Sequence, residues 1–125
     1  MSVGTARAYT VSEVSSQTGL SAHTLRWYEQ VGLLDAVHRD AAGRRRYGDE
    51  DLGRLRFLLK LRSTGMPVRD MVRYVELSRG GPETVGERLS ILVEHRERVL
   101  TQIDALKEDL KIIDYKIDLY SEDVR

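Results

Sequence analysis

The run His23-Thr24-Leu25-Arg26-Trp27-Tyr28-Glu29, closed by Gly32-Leu33-Leu34, crowds basic, polar and aromatic side chains into two helical turns. Such a surface suits a helix lying in a DNA major groove. Its charged and polar groups reach phosphates and base edges, and its aromatics pack on sugar and backbone. A second basic group, Arg44-Arg45-Arg46, follows Gly43 and suits phosphate contacts at a hairpin tip. Catalytic chemistry finds no comparable footing. There is no cysteine, no metal-ligand spacing among His23, His38 and His95, no phosphate-binding glycine loop and no Ser–His–acid layout. The chain reads as a non-enzyme without a cofactor.

The charge is unevenly distributed along the 125 residues. Residues 1–80 hold 13 Lys and Arg against 9 Asp and Glu, a net of +4, and residues 81–125 hold 7 against 11, a net of −4. A mildly basic head with an acidic tail fits a nucleic-acid binder whose tail does other work. No apolar run reaches the roughly 18–20 residues of a membrane helix, and the N-terminus has no signal-peptide core. The expected location is cytoplasmic, away from membranes.

Residues 1–8 are small and polar and are expected to be a flexible lead. Thr10-Val11-Ser12-Glu13 spells a capping box, in which the Thr side chain takes the third helical N–H and Glu13 reaches back. Val11 and Val14 supply the apolar face of that short helix. Gly19 ends it and Ser21 caps the next, from about Ala22 to Gln30, with Leu25 inward and Leu33 and Leu34 stapling the following turn. Asp35 to Tyr47, with Gly43 in the turn, reads as a two-stranded hairpin, or wing. A helix from Asp49 to about Thr64 buries Leu52, Leu55, Leu58 and Leu59. Gly65-Met66-Pro67 breaks it, and Val68, Met71, Val72 and Val75 mark another amphipathic helix. Pro82 suits the first turn of the last one.

That last helix carries a heptad seam: Val85, Leu89, Leu92, Arg96, Val99, Ile103, Leu106, Leu110, Ile113, Ile117 and Tyr120. Only Arg96 is charged. It is read as a snorkelling side chain, or as half of a register-setting pair with a partner's Asp109 or Asp114. At about 1.5 Å per residue the helix spans about 55 Å, more than the head can cover. The seam is therefore expected to meet a second copy, with Leu89, Leu92, Val99, Ile103, Leu106, Leu110, Ile113 and Ile117 forming a homodimer interface.

Three stretches of the head carry a family likeness: Tyr9 to Val14, Thr18-Gly19-Leu20-Ser21, and Thr24 to Leu34. With Gly43-Arg44-Arg45-Arg46-Tyr47, Asp51-Leu52, Leu55-Arg56-Phe57 and Leu61 to Met66 they run in unbroken order over roughly residues 9–78. In this combination the chain resembles the MerR-type transcription regulators. The resemblance implies a mainly α fold: a winged helix-turn-helix head with a small β-hairpin wing at 9–80, then a long dimerisation helix at 82–120 pairing as an antiparallel coiled coil. A short tail, 121–125, follows.

The resemblance also implies roles. The helix at 22–30 enters the major groove, and the hairpin and the Gly65 turn form two wings. Arg26 and Tyr28, Arg45 and Tyr47, and Lys60 and Arg62 are carried over as DNA contacts. Ser21, His23 and Thr24 sit where base edges are reached, and His23 is the preferred specificity residue. Arg44, like Arg46, flanks the family position and is an additional phosphate candidate. Blander readings stand beside these: Arg26 as a surface ion-pair partner of Glu29, Tyr28 as core, Trp27 as half-buried packing, and His38 and His95 as ordinary surface residues. Pro67 stands where the family commonly has a capping Ser.

MerR-type dimers bind near-palindromic sites in double-stranded promoter DNA between the −35 and −10 elements. They bend and untwist the spacer, and so act on RNA polymerase indirectly through the promoter. Metal-sensing relatives use cysteines that this chain lacks, and only five residues follow Tyr120, too few for an appended ligand domain. Two readings remain for the signal: a small organic effector held between the dimer helix, the helix at 68–79 and the partner's head, or constitutive activity. An architectural or recombination accessory protein of the excisionase type is the alternative function, disfavoured by the long helix. A coiled-coil protein whose head binds protein is a third.

Overall fold

The computed structural model describes residues 8–34 and 38–124. The expected flexible lead at 1–7, the first residues of the hairpin at 35–37 and Arg125 lie outside the described residues. The chain divides into two compact units, Met1–Arg88 and Leu89–Arg125.

The first unit opens with α1 (Val11–Thr18) and α2 (Ala22–Gln30), and both begin as their sequences dictate. The Thr10 hydroxyl accepts from the Glu13 amide at 3.1 Å, and the Glu13 carboxylate accepts from the Thr10 amide at 3.0 Å. Two amides with no helical partner are thereby satisfied. Gly19 at φ 77° ends α1 in the left-handed conformation, its N–H on the Ser15 carbonyl. Ser21 then caps α2 by accepting from the Thr24 amide.

Strands β1 (His38–Arg39) and β2 (Arg45–Arg46) pair antiparallel, with His38 opposite Arg46 and Arg39 opposite Arg45. Tyr9, just before α1, joins them: it forms an antiparallel bridge to Tyr47 through N–H···O bonds of 2.7 and 2.9 Å. The wing is therefore tied to the start of α1, a link absent from the local pattern.

Helix α3 (Asp49–Ser63) starts with Asp49, Glu50 and Asp51, acids that favour the positive end of the helix dipole. Its buried stripe is Leu52, Leu55, Leu58 and Leu61. Leu59, expected in that stripe, is only half-buried, and Leu61, a helical i+3 step beyond Leu58, replaces it. Helix α4 (Val68–Arg79) buries Met71 and Val75. Pro67 precedes it with no side-chain cap, yet its φ of −62° suits the helix entry. The core is completed by Val14, Leu25, Leu33, Leu34 and Met66, all essentially inaccessible.

A 3₁₀ turn, Gly81–Thr84, carries Pro82 and leads into α5 (Val85–Asp123), 39 residues long. The Arg88 guanidinium clamps this junction, donating to the Gly81 carbonyl at 2.7 Å and the Thr84 hydroxyl at 3.1 Å.

Most of the α5 seam is exposed in the single chain, Ile103, Leu106, Leu110, Ile113 and Ile117 among it. Arg96 lies 3.6 Å from Glu97 of its own chain and is largely exposed. His95 departs from its expected surface position: it is 5% exposed. No helix among the described residues is long and apolar enough to cross a membrane.

Candidate nucleic-acid interface

Helix α2 presents His23, Arg26, Trp27 and Gln30 outward while Leu25 and Tyr28 turn into the core. The split follows helical spacing: 25 and 28 share one face, and 23, 26, 27 and 30 lie off it. The Arg26 guanidinium makes no ion pair with any described residue, so its charge stands available, and the ion pair with Glu29 that it was offered is not formed. Trp27 is half-exposed, its ring 5.6 Å from that of Tyr28. Ser21 and Thr24 bond each other, hydroxyl to hydroxyl at 3.0 Å, at the exposed N-terminal end.

The wing sorts its residues by strand alternation, since successive side chains of a strand point to opposite faces. Arg44 and Arg46 share one face, and Arg45 and Tyr47 share the other. On the first face both guanidinium groups meet Asp40: Arg44 Nε at 3.3 Å and Arg46 Nη2 at 3.1 Å from the same carboxylate oxygen. On the second face Arg45 Nε donates to Glu29 of α2 at 2.9 Å, with both side chains about one fifth exposed. Wing and groove helix are thus joined by a charge-assisted bond. The tip turns through Gly43 at φ 82°, a conformation glycine adopts without strain.

Tyr47 is corrected from contact surface to core. It is 1% exposed, and its hydroxyl is buried with no hydrogen-bond partner among the described residues. Burial pushes the phenol above its ordinary value of 10.0, so it remains neutral. Its backbone, held by Tyr9, fixes the wing. Tyr28, 4% exposed, follows the core reading of its ring.

Lys60 and Arg62 lie in the last turn of α3, exposed and without side-chain ion pairs to described residues. Gly65 at φ 100° reverses the chain there, and the Thr64 hydroxyl donates to the Lys60 carbonyl at 2.7 Å. No hydrogen bond or ion pair links Lys60 or Arg62 to the described residues of the first wing. Sequence reasoning missed three residues that organise the site: Glu29, Asp40 and Tyr9. The alternation of Arg44-Arg45-Arg46-Tyr47 was the readable signal for the first two, because it demands different partners for the two faces.

A cleft of about 420 Å³ lies beside the wing, lined by Thr10, Val11, Ser12, Arg39, Gly43 and Arg44 to Arg46. Of its four arginines, Arg44 and Arg46 are ion-paired to Asp40 and Arg45 to Glu29. No group of three His, Cys, Asp or Glu among the described residues could hold a metal ion.

Comparison with known proteins agrees with this geometry. Residues 9–77 match the model of the MerR helix-turn-helix family of regulatory proteins. An uncharacterised HTH-type transcriptional regulator of Haemophilus influenzae is 40% identical, the match covering 91% of this chain and 84% of that one. The transcriptional regulator AdhR of Bacillus subtilis is 37% identical over 72% of this chain and 64% of its own. Among solved structures, HiNmlR, a MerR family regulator lacking the sensor domain and bound to promoter DNA, superposes with a TM-score of 0.84 at 39% identity, covering 93% of this chain and 92% of that one. A regulator from Listeria monocytogenes gives 0.83 at 34% identity, covering 90% and 86%. The capped helix pair, the arginine wing and the sustained family match place this chain among the transcriptional regulators of the MerR family.

Proposed function

We propose that the protein binds a near-palindromic promoter operator as a homodimer and controls transcription by distorting the DNA between the −35 and −10 elements. The observation that carries the reading is the likeness to HiNmlR, which is bound to promoter DNA, over nearly the whole of both chains. In this reading residues 9–80 are the DNA-binding head and 82–120 the dimerisation helix. RNA polymerase is reached through the bent promoter rather than by direct contact. Its working place is the cytoplasm, where promoter DNA is.

Roles follow exposure. Arg26, Lys60 and Arg62 hold phosphates with charges no described neighbour neutralises, and Arg44 and Arg46 add the wing's contact. His23 reads a base edge, with Ser21 and Thr24 beside it at the helix start. Arg45 spends its Nε on Glu29 and keeps its terminal N–H groups for phosphate, since a guanidinium carries five donors. Tyr28 and Tyr47 act from the core, holding helix and wing at their relative positions. With no cysteine in these 125 residues, thiolate metal sensing is not the switch.

Genome-wide capture of DNA by the purified full chain tests this. One or a few inverted repeats inside unusually long promoter spacers are expected. Scattered binding without a repeat marks an architectural DNA binder instead, and overturns the operator reading.

A further inference from the structure

We propose that Asp40 is a positioning residue of the first wing: one carboxylate closes the hairpin tip and gathers the Arg44 and Arg46 guanidinium groups into a preset pair for a DNA phosphate. The proposal rests on the reading that this wing contacts phosphate.

The carboxylate divides its work between two oxygens. Oδ1 accepts from the Ala42 amide at 2.9 Å and the Arg44 amide at 3.0 Å, which fixes the turn. Oδ2 takes Arg44 Nε at 3.3 Å and Arg46 Nη2 at 3.1 Å. The main chain closes the same ring, with the Asp40 N–H on the Arg44 carbonyl and the Gly43 N–H on the Asp40 carbonyl, both at 2.9 Å. Arg44 immediately precedes β2 and Arg46 ends it, and both guanidinium groups reach the same Asp40 oxygen, so a single acid serves both. The same two arginines line the cleft beside the N-terminus of α1, together with Arg39 and Arg45. The Arg44 amide above all, then the Ala42 amide and the two arginine charges, keep the carboxyl below its ordinary 3.8 against the opposing push of desolvation. It is therefore ionised throughout the neutral range.

An acid on a DNA-binding wing is a puzzle if only net charge counts, because it repels the phosphates the wing must meet. Positioning resolves it. An unrestrained arginine side chain samples many rotamers and must be ordered on binding. Here the ordering is done by folding, through one ion-pair contact per guanidinium. The remaining N–H donors of each stay available. The two accounts predict opposite signs for loss of the charge, and that makes the matter decidable.

Asp40→Asn keeps the Oδ1 acceptor and suits a turn, so the tip stays closed while the pull on both arginines goes. Binding to a fluorescently labelled random-sequence DNA duplex is measured by anisotropy over a salt series, with Arg44→Ala/Arg46→Ala in parallel. Thermal melts of both variants report folding. The expected result for Asp40→Asn is binding about tenfold weaker, the ordering cost of two long side chains. The slope of log affinity against log salt should be shallower by about one unit, the loss of one phosphate contact. Equal or tighter binding by Asp40→Asn, with Arg44→Ala/Arg46→Ala weakened, overturns the positioning role and leaves the wing reading standing. An Arg44→Ala/Arg46→Ala variant that binds like the wild type removes the wing contact, and the proposal with it.

Discussion

Ile103→Asp puts a carboxylate into the middle of the heptad seam, and its consequence can be worked from the exposure of α5. Leu89, Ile103, Leu106, Leu110, Ile113 and Ile117 are each 41–66% exposed in the single chain. Their uncovered surface amounts to about three whole apolar side chains, worth about 5–10 kcal/mol per protomer at about 1.5–3 kcal/mol each. Two protomers double this, against about 4–15 kcal/mol for the lost freedom of association. The two ranges overlap, so a homodimer formed through this seam would have no margin to tolerate a charge in it. Replacing Ile103 forfeits about 1 kcal/mol of apolar burial per chain. Leaving a carboxylate in a partly desolvated seam costs about 1–3 kcal/mol more. Counted twice, the loss is about 4–8 kcal/mol, or about three to six orders of magnitude in the dimer dissociation constant. Sedimentation equilibrium at micromolar concentration should find the wild type dimeric and Ile103→Asp monomeric, with the head still folded. A variant as dimeric as the parent would refute the seam, and so would a monomeric parent.

Three further outcomes are expected. Arg26→Ala should weaken binding to all duplexes alike and lower the salt slope by about 0.9, whereas His23→Ala should change base preference in a selection from random sequences; uniform weakening by His23→Ala removes its assigned role. A thermal double-mutant cycle of Glu29→Gln and Arg45→Gln should return a coupling of about 1–3 kcal/mol, because the bond joining wing and α2 is charge-assisted and only one fifth exposed, and strict additivity would count against it. Burial, then the neighbouring Arg98 charge, holds the His95 imidazole below its ordinary 6.5, so the folded chain takes up this proton less readily than the unfolded one. The stability at stake is intact above about pH 6.5 and is lost as the pH falls from there toward the folded value, so the melting temperature should drop on acidification and the His95→Gln variant should drop less.

What could be read from the sequence, and what could not, divides by the range of the interaction. Thr10 with Glu13, and Ser21 with Thr24, are pairs three residues apart, and their spacing alone specifies the bond. The length of α5 is equally local, carried by uninterrupted helical residues after Pro82. Leu59 against Leu61 marks the edge of that competence: both continue a leucine stripe, and only the neighbours packed on α3 decide which is buried. The wing lies beyond it. Glu29 and Arg45 are 16 residues apart, and Tyr9 and Tyr47 meet only after the chain has made two helices and a hairpin. Nothing in the residue types of Arg44-Arg45-Arg46-Tyr47 ranks one arginine above another as a phosphate ligand. Alternation does, once the strand is granted: the outer two go to Asp40, the middle one goes to the groove helix, and the tyrosine goes inside. A basic triplet that reads as one undifferentiated patch therefore divides by its acid partners: Arg44 and Arg46 meet Asp40, and Arg45 is tied to Glu29, which fixes the angle at which the wing meets α2. Mutating all three together would confound them, and their separation requires testing Asp40 and Glu29, the acids that distinguish the faces.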